Sequence, residues 1–130
     1  MVSREDLDSF LRLTEVPYEE LDEGIWMVPA HADDPDSRPA VVVSLEPPVV
    51  VFRTEIRSIP DDAPGQLKLY ELLLELNAKD LVHGAYGLED GAVVLGDTLE
   101  LENLDFSEFR ASLESLTLAV TTHWQQLTTD

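Results

Sequence analysis

The 130-residue sequence contains no cysteine, and this absence excludes three kinds of site. There is no disulfide framework, no thiolate zinc site and no cysteine nucleophile. A chain of this length needs no such crosslink, because a single domain over residues 1–130 buries roughly two thirds of the surface that its unfolded form exposes. The missing cysteines suit a reducing compartment, and we expect a cytoplasmic protein.

Long apolar segments are also missing. No run approaches the roughly 18 consecutive apolar residues of a membrane-spanning helix. The first ten residues, MVSREDLDSF, are acidic and amphipathic and lack the apolar region of a signal peptide. We therefore expect no membrane partner.

Positive charge is scarce. Eight Lys and Arg oppose 27 Asp and Glu, which gives a formal net charge of -19, and Lys68 and Lys79 are the only lysines. Such a surface repels phosphate backbones and anionic lipids, so we expect neither a nucleic-acid nor a membrane partner. A basic partner is favoured. The alternative, that the acidity serves only solubility or adaptation to salt, stays open because net charge speaks to solubility and encounter rates.

The sequence also lacks the motifs of catalysis and of nucleotide binding. There is no G-x-S-x-G nucleophile elbow, and both G-x-G-x-x-G and the phosphate loop G-x-x-x-x-G-K-[ST] are absent. The histidines, His31, His83 and His123, are scattered, whereas a hydrolase needs a nucleophile, a base and an orienting group within reach of one another. We expect no catalytic residues, no cofactor and no enzymatic activity.

One segment has the composition of a metal site for hard cations. It combines a histidine with three aspartates that could hold calcium or magnesium weakly. It lacks the D-x-D-x-D-G spacing of an EF-hand and the distal glutamate of that motif. We therefore interpret it as a solvated acidic loop and expect no bound metal; its residues are His31, Asp33, Asp34 and Asp36.

The periodicity of apolar residues predicts an α+β fold. The predicted order is helix, three strands, helix, two strands, helix, which is typical of helices packed on an antiparallel sheet. Ser3 is suited to cap the first helix, and Asp105 with Glu108 forms a capping-box-like pair before the last. The predicted strands cover residues 24–30, 40–46 and 49–59 before the middle helix at residues 66–79, and a hairpin follows it.

The hairpin has an unusual division of side chains. Asp90-Gly91 favours a two-residue type I′ turn, which fixes the register and therefore the face of each residue. Tyr86, Leu88 and Val93 share one face with Leu95. The opposite face, here called the small-residue stripe, buries little area by itself but permits close approach of another surface. This stripe consists of Ala85, Gly87, Ala92, Val94 and Gly96.

The middle helix has more apolar surface than one contact can cover. Its polar residues fall on one narrow stripe, so we expect cover on more than one side. A second copy of the chain would supply it, and we predict a homodimer interface formed by Leu69, Leu73 and Leu76 together with the small-residue stripe. The alternative is that the first or last helix of the same chain lies on the stripe.

Two further residues are candidates for contact with a client. Alternation along GIWMV places Trp26 and Val28 on one face of a strand and Ile25 and Met27 on the other. Large aromatic residues anchor interfaces, although they also fill cores. We predict that Trp26 and Val28 contribute to client binding.

The segment from Leu69 to Leu101 carries a family resemblance. It has an apolar helix ending in Leu76-Asn77-Ala78, a strand rich in small residues, the Asp90-Gly91 turn and a second strand. In these features it resembles the YbjN-domain proteins and the wider type III secretion chaperone-like (Tir chaperone-like) fold. The resemblance implies a small, acidic, homodimeric and non-enzymatic protein. The secretion chaperones hold an extended client segment across apolar patches, whereas the YbjN-domain branch is linked to sensory regulation.

Three functions remain open at this point. The first is a chaperone-like homodimer that binds a protein or peptide through apolar surface. The second is a dimeric regulator of the YbjN type with no extended client. The third is a small ligand- or metal-binding domain that uses the acidic loop, and it has the least support because the metal spacing is absent.

Overall fold

A computed structural model describes residues 1–30 and 39–129 of the chain. These residues form an α+β fold in which one antiparallel sheet is packed by helices, as predicted. The elements are α1 (Arg4–Leu13), β1 (Glu19–Asp22), β2 (Ile25–Pro29), β3 (Ala40–Glu46), β4 (Val49–Ser58), α2 (Ala63–Lys79), β5 (Ala85–Glu89), β6 (Ala92–Glu100) and α3 (Phe106–Thr128).

The sheet has the strand order β1-β2-β3-β4-β6-β5. The first four strands form a meander, and the chain then leaves the sheet through α2 and returns so that β5 occupies the far edge. The predicted hairpin register is confirmed at all five pairs of β5 with β6. Asp90 and Gly91 both have positive φ, 50° and 81°, as a type I′ turn requires.

Strand β1 is an addition to the predicted order. Its sequence, EELD, has no β-branched or aromatic residue and therefore gives no strand signal. The strand is fixed by contacts instead. Arg4 of α1 donates from Nε to the Glu20 carboxylate at 2.8 Å, and the Gly24 amide donates to the same carboxylate at 3.1 Å.

One face of the sheet packs against the helices and forms the core. Alternation along each strand supplies its residues, and on β4 Phe52, Thr54 and Ile56 are all buried on this face. The Phe109 ring of α3 lies 5.3 Å from the Phe52 ring and 5.5 Å from the Phe10 ring of α1. These rings join the two helices to the sheet.

The starts of α1 and α3 follow the predicted caps, whereas α2 begins at Ala63 and not at the predicted Gln66, because the Asp62 carboxylate caps it by accepting from the Gly65 amide at 2.7 Å and proline fits the first turn of a helix. The Ser3 hydroxyl accepts a hydrogen bond from the Asp6 amide, and the Ser3 amide donates back to the Asp6 carboxylate, which completes a capping box. These hydrogen bonds hold the pKa of Asp6 below its ordinary value. At α3 the Asp105 carboxylate accepts from the Glu108 amide.

The opposite face of the sheet, here called the outer face, has no helix or strand over it within residues 1–30 and 39–129. Its residues alternate with the core residues along every strand, and they stand outside the buried core cluster. On the central strands they include Ile25, Met27, Ala40, Val42, Ser44, Val49, Val51, Arg53, Val94 and Gly96.

Candidate functional site

A shallow groove of about 450 Å³ crosses the outer face over β1 to β4. Its lining is largely apolar and includes the polar and charged residues Ser44, Glu46, Arg53 and Glu55. The lining residues are Leu21, Met27, Pro39, Ala40, Val42, Ser44, Glu46, Val51, Arg53 and Glu55.

The groove is apolar because β3 and β4 are apolar on both of their faces. The runs AVVV and VVVF have the continuous hydrophobic pattern of strands that are covered on two sides. Here Val41, Val43 and Val50 are buried in the core, while Val42 and Val51 line the groove. An apolar sheet face left open in this way is typical of an interaction surface.

Trp26 and Val28 lie on the core side of β2 and not on the side of the groove. Their side chains are 0% and 1% exposed, respectively, because pairing with β3 places Trp26 opposite the buried Val43. Neither is accessible to a client in this conformation. The alternate residues Ile25 and Met27 are the ones that β2 presents on the outer face.

The predicted dimer leucines of α2 are likewise core residues. Leu69, Leu73 and Leu76 are buried against the sheet. The leucines that α2 leaves open are Leu67 and Leu74, each 69% exposed. The expectation that this helix has apolar surface beyond its core contact therefore agrees with the structure. That surface is formed by Leu67 and Leu74 and not by the three predicted leucines.

The small-residue stripe lies on the outer face at the β5–β6 end of the sheet, beyond the groove. The alternative that α1 or α3 covers it is wrong, because both helices pack on the core face. Gly96 is crowded by its own sheet, since a Cβ there would lie 3.2 Å from the Phe52 carbonyl oxygen. At Gly87 a Cβ would meet nothing within 4 Å, and φ is not positive, so the chain itself does not require glycine there.

A second site, which is polar, lies under the edge of the sheet where α2, β5 and α3 meet. The Tyr86 hydroxyl is 2.7 Å from His123 Nδ1, and His123 Nε2 is 3.2 Å from the Asp80 carboxylate. The Asn77 side chain closes the free edge of β5, because its Nδ2 donates to the Tyr86 carbonyl and its Oδ1 accepts from the Tyr86 amide.

The arrangement of tyrosine, histidine and aspartate joins β5, α3 and the end of α2. Burial, and secondarily the charge of Asp80, raises the pKa of the Tyr86 phenol well above its ordinary value. The phenol therefore stays protonated and donates to His123 Nδ1, while Nε2–H donates to Asp80. Both the Tyr86 and His123 side chains are buried, so no substrate reaches them.

Replacing Tyr86 by phenylalanine is expected to lower the free energy of unfolding by about 1 to 3 kcal/mol, because the buried His123 Nδ1 loses its donor. The raised pKa means that this contribution is fully present below the unfolded pKa of about 10 and is lost as pH rises through the folded value. Urea unfolding at pH 8 and pH 11 should therefore show a smaller difference between variant and wild type at the higher pH. Tyr70→Phe is the control, and equal stability of Tyr86→Phe and wild type at pH 8 would contradict the assignment.

The remaining sequence candidates contribute no chemistry to these sites. His83 is half-buried between α2 and β5. His31, Asp33, Asp34 and Asp36 lie outside the residues that the structure describes. In the described part of the chain no group of three or more His, Asp or Glu is placed to hold a metal ion, and none of its helices is both long enough and apolar enough to span a bilayer.

Sequence reasoning missed the groove and the Tyr86–His123–Asp80 contact. The alternation of strands β3 and β4 shows which residues share a face. The groove would have been predicted by adding that all helices pack on the same side of the sheet, because the other side is then left open. The partners of His123 stand 37 and 43 residues away in the chain, and no local pattern connects them.

Solved structures similar to this fold cover nearly all of the chain. A chain of the heterodimeric ExoU–SpcU complex from the type III secretion system of Pseudomonas aeruginosa has a TM-score of 0.68 and 17% identity, covering 94% of this chain and 98% of that one. YbjN from E. coli has a TM-score of 0.67 and 16% identity, covering 95% and 92%. A chain of the HopA1–SchA chaperone–effector complex has a TM-score of 0.60 and 18% identity, covering 92% and 90%.

Identities this low show the fold alone, and no curated protein sequence matches the chain. A family model gives the membership. The model CesT_Tir_1 matches residues 3–129, which is almost the whole sequence. The resemblance to YbjN and to the type III secretion chaperones is thus confirmed, and the chain belongs to the CesT_Tir_1 family.

Proposed function

We propose that the protein is a non-enzymatic, chaperone-like homodimer that holds an extended segment of a protein client in the groove of its outer face. The observation that carries the proposal is the open apolar floor of that groove, where Met27, Val42 and Val51 have no cover in the described chain. Family membership supports it, as does the similarity to the chaperone–effector complex of HopA1 and SchA.

The groove suits an extended segment better than a compact ligand. It is shallow and crosses four strands, so a peptide lying along it places every second side chain on the apolar floor. Small-molecule sites, in contrast, are enclosed and carry a few converging polar groups. This geometry argues against the ligand-binding alternative.

The homodimer is proposed at the other end of the sheet. The small-residue stripe covers β5 and β6, and α2, which leaves Leu67 and Leu74 exposed, contacts β5. A two-fold interface needs one self-complementary patch, and small residues permit close approach of a second backbone. A dimer formed there leaves the groove over β1 to β4 free for a client.

The absence of catalysis is part of the proposal. It is supported by the lack of nucleophile and phosphate motifs and by the engagement of His123, whose two ring nitrogens both have partners. The raised pKa of Tyr86 points the same way, because a phenol held protonated is a poor nucleophile.

A photoreactive amino acid at Met27 tests the function in cells. We expect it to crosslink to a segment of another protein, whereas the same probe at Leu118, which is 66% exposed on α3, should not. The shape-conserving double variant Met27→Gln/Val42→Thr should weaken binding of the captured segment about tenfold, since about 1.4 kcal/mol of apolar contact corresponds to that factor. The control Leu118→Gln should have no effect.

Equal crosslinking from Met27 and Leu118, or binding that survives the double variant, would place the client elsewhere. A dimeric protein from which Met27 captures only copies of itself or nothing would favour the second candidate, a regulator of the YbjN type with no extended client. The similarity to YbjN, with a TM-score of 0.67, is the observation that keeps this candidate.

A further inference from the structure

The outer face carries an arrangement of carboxylates that follows from the strand register. Glu19 lies opposite Met27, and Glu55 lies opposite Val94, so both share the face that contains the groove. The same pairing rule places three more glutamates on this side. All five are exposed, and they are Glu19, Glu46, Glu55, Glu89 and Glu100.

The same face has almost no positive charge. Among the described strands only β4 carries cations, Arg53 and Arg57. Arg57 reaches the helical side, where its guanidinium donates to the Leu127 carbonyl of α3. Arg53 lies on the outer face, and its guanidinium is already paired with Glu89 at 2.8 Å.

We infer that the groove takes a basic segment in which apolar side chains alternate with lysine or arginine, an inference that rests on the proposed function. The apolar floor accepts every second side chain of an extended peptide. The carboxylates of the groove lining, Glu46 and Glu55, would be partly desolvated by any occupant, and this is costly unless the occupant brings a counter-charge, because the lining arginine, Arg53, is already paired with Glu89. Lysine or arginine at the intervening positions supplies it.

A second copy of this chain does not fit the same groove. A two-fold contact between two outer faces would bring the glutamates of both copies together. Each copy would add one outer-face arginine from its described strands, Arg53, which is already paired with Glu89. Like charges brought together across an interface oppose association. The charge pattern therefore favours a basic client over a second copy of the chain in the groove.

The pattern also predicts how binding depends on salt. The glutamates are exposed, so their attraction for a basic segment is screened as ionic strength rises. The apolar contact in the groove is not weakened in this way. The preference for a basic segment should consequently shrink at high salt while a weaker, charge-independent binding remains.

Three synthetic nine-residue peptides test the inference directly. They share four apolar positions and carry lysine, serine or glutamate at the intervening ones, and fluorescence anisotropy measures their binding to the full chain. We expect the lysine peptide to bind at least about tenfold more tightly than the serine peptide at 50 mM salt, and the glutamate peptide to bind least. At 0.5 M salt the lysine and serine peptides should converge.

Two double variants with the same change in net charge locate the effect. Glu46→Gln/Glu55→Gln should reduce the preference for lysine over serine at least about threefold, whereas Glu5→Gln/Glu114→Gln, on α1 and α3, should leave it unchanged. Thermal unfolding by circular dichroism checks that each variant is folded. An equal loss in both double variants would overturn the inference, because overall charge and not the groove would then set the preference.

Failure of the inference is distinguishable from failure of the proposed function. If the serine peptide binds as tightly as the lysine peptide and both are lost in Met27→Gln/Val42→Thr, the groove binds clients without regard to charge. If the lysine peptide does not bind at all, the basic segment is ruled out, and crosslinking from Met27 decides the function separately.

Discussion

Replacement of Trp26 by alanine is expected to lower the free energy of unfolding by about 3 to 5 kcal/mol, the usual cost of removing a large buried aromatic side chain. Trp26 is fully buried on the core side of β2. Replacement of its neighbour Met27 by alanine is expected to cost about 1 kcal/mol or less, because Met27 faces the open groove. Adjacent residues of one strand should therefore differ severalfold in their effect on stability.

Urea unfolding followed by circular dichroism measures both effects, at one protein concentration so that self-association does not differ between samples. Val28→Ala is a second core variant and should follow Trp26 in direction. Equal losses from Trp26→Ala and Met27→Ala would mean that the outer face is covered in the folded protein. The groove would then be part of a core, and the proposed client site would fail with it.

The contrast at β2 shows what the alternation of side chains along a strand predicts and what it does not. The pattern of GIWMV establishes that Trp26 and Val28 share a face, and the structure agrees. Which face is inward depends on where the helices pack, and α3, which begins at Phe106, is far from β2 in sequence. A short strand that is apolar on both sides gives no local signal for that choice.

Local capping and turn rules, in contrast, were sufficient to predict the start of α1 and the register of the β5–β6 hairpin. Ser3 begins α1 with a capping box, and Asp90-Gly91 sets the register of β5 and β6 because both residues must adopt positive φ. These rules act within four residues. Strand β1 could not be found in this way, since the Arg4–Glu20 ion pair that holds it joins residues 16 positions apart.

The middle helix shows the same limit. Its excess of leucine predicts a helix with contacts on more than one side. Residue type alone, however, does not show which leucines lie in the core and which lie on the surface. The orientation of α2 is visible at Asn77, which lies one turn after Leu73 and hydrogen-bonds through its side chain to the backbone of Tyr86 in the edge strand, so that Leu73 faces inward and Leu74 outward. Such a side-chain contact to a strand edge has no signature in the spacing of apolar residues.

That division leads to the second large expected effect: Leu74→Arg and Gly87→Arg should each convert the proposed dimer to single chains in light scattering at micromolar concentration. A two-fold interface contains every substitution twice, and an arginine buried without a partner there is costly. The folded chain itself tolerates both changes. Leu74 is 69% exposed, and Gly87 has ordinary φ with no atom within 4 Å of an added Cβ.

Leu118→Arg is the matched control, because Leu118 is equally exposed on α3 and lies away from β5, so the mass should stay that of two chains. If wild type scatters as one chain, the homodimer fails outright; if Leu74→Arg and Gly87→Arg remain dimeric, the interface lies elsewhere. Strand addition at β5 is a poor substitute for this packing, since Asn77 already occupies the Tyr86 amide and carbonyl on that edge. We therefore expect two chains that meet beside β5 to join through side chains of α2 and the small-residue stripe, the two features that these substitutions change.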